Sequence, residues 1–242
     1  MADAVIAQML PDGAVKGGSA LKIRFGDAAT RFSDDLDTAR ASSIDDYVDV
    51  LAGSLREGWE GFTGVLIRKE PRAPKEIPAQ YVMQPFEVKL SYLGKSWATI
   101  RLEVGHNEIG DADDPDMVVP RDAARFFEAL GFPEPKAVPL MPIHHQIAQK
   151  LHGSSEEGSR RAHDLVDLQL IERYEDIDYP KTRDTCEKLF SYRKKQSWPP
   201  VVVEGEDWST IYLDAAEGLD VLGDVKGAID WANEFIRRIA SA

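Results

Sequence analysis

A Gly-Gly-Ser turn followed, after one helix-sized spacer, by Asp-x-Asp constrains this chain more than any other feature. The two pieces are Lys16-Gly17-Gly18-Ser19 and Arg31-Phe32-Ser33-Asp34-Asp35-Leu36-Asp37. Paired glycines permit a tight turn and a close approach of backbone N–H groups to an anion. A helix opening at Ser19 would add unpaired N–H groups and a favourable dipole. Asp35 and Asp37 stand two apart, so on a strand both carboxylates face the same way. Such neighbours repel one another unless a cation sits between them. Mg²⁺ suits the pair, because it binds a few carboxylates together with substrate phosphates and water. Either motif alone is common in ordinary turns and acidic loops. Their ordered combination points to transfer of a nucleotidyl group from an NTP.

The expected elements place these motifs. Ala14–Lys16 reads as a short strand into the turn, Ser19–Phe25 as a helix and Asp35–Ala39 as a strand. Ile44–Glu57 reads as a helix with Ser43 as its N-cap, and Gly61–Arg68 as a strand before a Pro-rich break from Pro71 to Pro78. Phe86–Leu93 and Trp97–Val104 alternate with period two around Gly94-Lys95, the signature of a hairpin with one solvated face. Arg121–Leu130 is a helix stopped by Gly131, after an acidic loop at Gly110–Pro115. From Ile143 the pattern is helical to the end: Ile143–Leu151, Arg160–Tyr174, Lys181–Lys194, Trp208–Ala216 and Val225–Ile239. The expectation is therefore an α+β chain. Residues 1–140 would form a mixed sheet flanked by helices, and residues 141–242 a helical region.

A metal site needs a third carboxylate on the neighbouring strand, and Glu103, on the polar face of Trp97–Val104, is the candidate. In the helical half, Lys150 falls inside the apolar stripe of Ile143, Ile147 and Leu151, and Asp164 shares a face with Leu168 and Ile171. Buried charges need partners. A Lys150–Asp164 ion pair answers that need structurally; functionally, Lys150 would reach NTP phosphates with Asp164 orienting it or the incoming hydroxyl. His144 and His145 point about 100° apart on a helix and make a poor zinc pair. No Gly-x-Ser-x-Gly elbow supports a serine hydrolase.

With 29 basic and 42 acidic residues the net charge is −13, which argues against indiscriminate coating of nucleic acid. It leaves room for an RNA substrate at local basic clusters, such as Arg68-Lys69 with Arg72 and Lys75, or Arg193-Lys194-Lys195. No apolar run reaches the roughly 18 residues of a membrane span, the start lacks a basic signal-peptide region, and Cys186 is the sole cysteine. These features lead to the expectation of a cytoplasmic protein.

Val15-Lys16-Gly17-Gly18-Ser19-Ala20-Leu21, together with Arg31 through Asp37, resembles the AbiE-type nucleotidyltransferase toxins of the DNA polymerase β-like superfamily. Gln149-Lys150-Leu151-His152 and Arg161-Ala162-His163-Asp164-Leu165-Val166-Asp167-Leu168 resemble that family's second block, a Lys-Leu on one helix and Asp-Leu-x-Asp-Leu on the next. The resemblance implies a nucleotidyltransferase-fold sheet and a helical C-terminal region closing the cleft. It implies Mg²⁺-dependent transfer of NMP from an NTP, Mn²⁺ being the other ion such a site accepts. It also implies a toxin of a toxin–antitoxin or phage-defence system with a cognate antitoxin, and the 3′ end of tRNA as acceptor. By resemblance the metal carboxylates are Asp35 and Asp37, the phosphate-contacting serine is Ser19 beside Gly17 and Gly18, and the later lysine and aspartate are Lys150 and Asp164. The family's third carboxylate is more often Asp; here it would be Glu103. Other readings of the same residues are transfer to a protein or small-molecule hydroxyl, a catalytically silent nucleotide- or partner-binding module, and a plain scaffold.

Overall fold

The computed structural model describes residues 1–71 and 82–242. Arg72, Lys75 and most of the Pro-rich break lie outside the described residues. The described chain divides into two compact units: Met1–Gly26 with Ser33–Met141, and Asp27–Phe32 with Pro142–Ala242.

The first unit holds a mixed sheet of seven strands among the described residues: β1 (Gly13–Lys16), β2 (Asp35–Arg40), β3 (Phe62–Arg68), β4 (Gln84–Tyr92), β5 (Lys95–His106), β6 (Asp116–Val118) and β7 (Val138–Leu140). Their spatial order is β3-β4-β5-β2-β1-β7-β6. The β2–β5 and β1–β7 pairs are parallel, the rest antiparallel. The unit also carries α1 (Ala2–Ala7), α2 (Gly17–Phe25), α3 (Ile44–Glu57) and α4 (Arg121–Leu130). The expected α+β architecture is therefore present. Its core draws on alternate positions of the central strands, Leu36 from β2, Phe86, Val88 and Leu90 from β4, and Leu102 and Val104 from β5, with Tyr47, Leu51 and Leu55 from α3. That spacing on α3 is the stripe by which an amphipathic helix packs on a sheet.

Local chemistry explains the element ends. Ser43 caps α3, its hydroxyl oxygen accepting from Asp46 N at 3.2 Å. Gly131 ends α4 in the left-handed conformation (φ 77°). The hairpin turns at Leu93-Gly94, one residue before the expected Gly94-Lys95. Both residues have positive φ, 47° and 76°, as a turn matched to the twist of the flanking strands requires. Helix α2 begins at Gly17, two residues before the expected Ser19, so the glycines are its first turn. Strands β6 and β7 lie in segments to which the sequence pattern assigns no element.

The second unit is helical: α5 (Ile143–Ser155), α6 (His163–Tyr174), α7 (Tyr179–Arg193), α8 (Trp208–Ala216) and α9 (Val225–Ala240). Helix α5 packs on α6 and α7, and α6 on α8 and α9. Helix α5 runs past the expected Leu151 to Ser155, and in this last turn the hydroxyls of Ser154 and Ser155 donate to the carbonyls of Lys150 (2.8 Å) and Leu151 (2.6 Å). Cys186 is buried on α7, and burial first, then Glu187, pushes its thiol above the ordinary range.

Leu36 is fully buried between two half-buried aspartates. Leu36→Ala should destabilise the chain by about 3 kcal/mol through the cavity left beneath β2. Urea unfolding with a fluorescence readout checks this.

Candidate active site

The carboxylate face is built by strand pairing. Asp35 and Asp37 alternate with the buried Leu36 and Thr38, so both project from the face opposite to those two. Parallel pairing sets Asp35 opposite Arg101 and Asp37 opposite Glu103. Antiparallel pairing sets Lys16 opposite Asp37 on the other side. Lys16, Asp37 and Glu103 therefore form one row across β1, β2 and β5. The expected placement of Glu103 beside the aspartate pair follows from this register.

The electrostatics agree with the register. Burial raises the Glu103 carboxyl above its usual range, Asp37 and Asp35 raise it further, and Lys16 opposes them. Asp35 Oδ1 is shut off from solvent yet accepts no hydrogen bond. Its nearest cation among the described ion pairs is Arg101 Nη1 at 3.9 Å. A buried carboxylate oxygen without a donor, beside a carboxyl destabilised by its neighbours, is a donor set that fits a hard divalent cation. As the side chains stand, no three described His, Cys, Asp or Glu residues form a finished cage.

The glycine turn abuts these carboxylates. Gly17 has φ +66°, and a Cβ built there would lie 2.4 Å from Asp37 Oδ2. A side chain there would strain the backbone and force the Asp37 carboxylate to move. Ser19 is fully buried and its hydroxyl donates to the Asp35 carbonyl at 2.6 Å. That donated proton ties α2 to β2. The backbone N–H groups at the start of α2 are the type of donor that binds an anion.

The helical unit contains a charged cluster of its own residues. Lys150 on α5 is 4% exposed, and Asp164 and Asp167 on α6 are 0% and 1% exposed. Lys150 Nζ donates to Asp167 Oδ2 (2.6 Å) and to Asp164 Oδ1 (3.1 Å). Arg161 Nε donates to Asp164 Oδ2 at 2.6 Å. Arg31, from the Asp27–Phe32 segment of this unit, grips Asp167 with Nε and Nη2, both at 3.0 Å. The Lys150–Asp164 pair is thus part of a five-member network of three cations and two carboxylates. Burial would raise the Asp164 carboxyl, but Lys150 and Arg161 hold it well below the usual range. Burial, then neighbouring cations, keep His163 below its ordinary value despite Asp164.

Sequence reasoning assigned no role to Asp167, Arg31 or Arg161. Asp167 follows Asp164 at helical spacing, a usable signal. Arg31 lies 136 residues from its partner, and nothing local announces that pairing. In the basic run, Lys195 pairs with Glu156, and an Arg193 guanidinium nitrogen lies 3.4 Å from His152 Nδ1.

A family model described as nucleotidyl transferase AbiEii toxin, type IV toxin–antitoxin system, matches residues 2–235. The chain belongs to the AbiEii family. It is accordingly a nucleotidyltransferase of a toxin family, and the Gly17 turn and Asp35–Asp37 strand fall within the matched region. No curated protein matches the chain. Among solved structures, MenT4, a nucleotidyltransferase toxin from Mycobacterium tuberculosis, is similar over 99% of this chain and 90% of its own, with 17% identity and a TM-score of 0.54. An H. pylori protein described as a nucleotidyltransferase is similar over 100% of this chain and 92% of its own, with 14% identity and a TM-score of 0.51. At such identities the likeness concerns the fold, which for this AbiEii chain is the nucleotidyltransferase fold.

Asp164 carries a pH prediction. Its folded-state value is depressed, so its contribution to stability is fully present above the unfolded value near ~3.9 and is lost as pH falls toward the folded value. Asp164→Asn should cost about 3 kcal/mol at pH 7 by leaving buried cations underpaired. The gap to wild type should narrow as pH drops below about 5. Urea unfolding at stepped pH tests both.

Proposed function

We propose that this chain transfers NMP from an NTP to the 3′ end of an RNA, tRNA first among candidates, as the toxin of a toxin–antitoxin or phage-defence system in the cytoplasm. The observation that carries the chemistry is the contact between the glycine turn and the carboxylate face, where Gly17 has no room for a Cβ beside Asp37 Oδ2. The glycine turn and the paired carboxylates are thereby held side by side by one strand pairing. Family membership supports nucleotidyl transfer and a cognate antitoxin. The RNA acceptor rests on the family resemblance.

Asp35, Asp37 and Glu103 would hold Mg²⁺ or Mn²⁺, which when bound supplies Lewis-acid stabilisation of charge on the α-phosphate and the leaving pyrophosphate. The Gly17-Gly18 turn and the first N–H groups of α2 would orient the triphosphate. Ser19 serves by fixing the Asp35 backbone. The acceptor oxygen forms a bond to the α-phosphorus as the bond to the β-phosphate bridging oxygen breaks. The hydroxyl proton passes to a carboxylate oxygen of the trio, and pyrophosphate leaves. By family resemblance Lys150 and Asp164 are further members of the catalytic set, tied to one another within the helical unit.

Asp35→Ala and Asp37→Ala should each lower transfer of labelled nucleotide at least 10³-fold, on the order expected for losing a main electrostatic element of a site, while circular dichroism stays unchanged. Excess EDTA should do the same. Full activity in either variant or in EDTA would overturn the metal mechanism. Incubating the protein with each labelled NTP, total RNA and lysate protein identifies the acceptor. Label in RNA supports the proposal; label in protein or a small molecule replaces the acceptor; tight NTP binding without label transfer supports a silent binding module.

A further inference from the structure

We propose that Lys16 is a substrate-binding residue of this site, its ammonium contacting the NTP triphosphate directly. The inference rests on the nucleotidyl-transfer reading and adds a residue to it.

Three observations lead to Lys16. Strand register puts it in one row with Asp37 and Glu103. Its side chain reaches across β2, so that a Cβ built on Gly105 of β5 would lie 2.9 Å from Lys16 Nζ and 3.6 Å from Lys16 Cε. Gly105 is buried and has an ordinary backbone angle, so its lack of a side chain answers to space, and the space is filled by the lysine. Finally, the half-buried Lys16 ammonium makes no hydrogen bond or close ion pair among the described residues.

That last point separates Lys16 from the other cations near functional candidates. Lys150 already donates to two carboxylates, Arg31 to Asp167 and Arg161 to Asp164. A lysine present only to neutralise the trio would close onto a carboxylate, since its four-carbon stem is flexible. Lys16 acts on Glu103 at longer range instead and keeps three N–H donors unused. A polyanion that also meets the Gly17 turn has the charge and the acceptor oxygens to engage them. Lys16 is the residue immediately before that turn, so one short segment would supply both backbone and side-chain donors.

The test uses the full chain, isothermal titration of inorganic tripolyphosphate in EDTA, and steady-state kinetics with the NTP that labels. Lys16→Met should weaken tripolyphosphate binding and raise KM for NTP, each about tenfold, the loss of one charge-assisted hydrogen bond. Its melting temperature should stay at the wild-type value. Gly105→Ala, which displaces the Lys16 tip but keeps its charge, should move both quantities in the same direction by less. The double variant should match Lys16→Met alone. Unchanged tripolyphosphate affinity in Lys16→Met, or additive losses in the double variant, would overturn the proposal. A wild-type protein that transfers no nucleotide but still loses tripolyphosphate affinity in Lys16→Met would overturn the transferase reading and leave the anion contact standing.

Discussion

Mutual repulsion among Asp35, Asp37 and Glu103 is the constraint around which the sheet unit is organised. Three carboxylates on one face of two adjacent strands are an unfavourable arrangement in any fold selected for stability alone. The surroundings sharpen the conflict. Asp35 Oδ1 is withdrawn from water without a donor, and Glu103 is raised by burial and by both aspartates. The strand that bears the pair is nonetheless firmly set. Leu36 and Thr38 are buried beneath it, Ser19 bonds the Asp35 carbonyl, and six residues of β2 pair with β5. Strain of this kind, held in place by packing on the other face, is what the proposed cation would relieve.

The helical unit resolves its charges in the opposite way. Asp164, Asp167 and Lys150 are almost wholly buried, yet each is paired at hydrogen-bond distance, and Arg31 and Arg161 complete the set. Such a network contributes little net stability compared with apolar packing, because desolvation offsets the attraction. It does specify one arrangement of α5 and α6, since removing any member leaves another charge underpaired. Three cations against two carboxylates also leave an excess of positive charge in a chain whose net charge is −13.

The elements that sequence reasoning found are those whose signal is local. Period-two alternation exposed β4 and β5, and Ser43 announced the start of α3. The Asp35-x-Asp37 spacing sufficed to put both carboxylates on one side of a strand. What escaped depends on who sits opposite whom. Strands β6 and β7 are three residues each, too short for a pattern. The bond from Ser19 to the Asp35 carbonyl joins residues sixteen apart, and nothing local announces it. Lys16 stood in the quoted motif without a role, because its position beside Asp37 and over Gly105 exists only once β1, β2 and β5 are in register. The nearest carboxylate to Lys150 is Asp167 rather than Asp164, a distinction that helical periodicity alone does not make.

In the proposed mechanism the Asp35–Asp37–Glu103 face directs attack at the α-phosphorus of an NTP. The most direct measurement compares NTP labelled at the α-phosphate with NTP labelled at the γ-phosphate in parallel reactions containing total RNA. The α-label should become covalently attached to the acceptor while the γ-label leaves as pyrophosphate. Attachment of γ-label to the acceptor, or release of γ-label as inorganic phosphate with no α-label transferred, would contradict it.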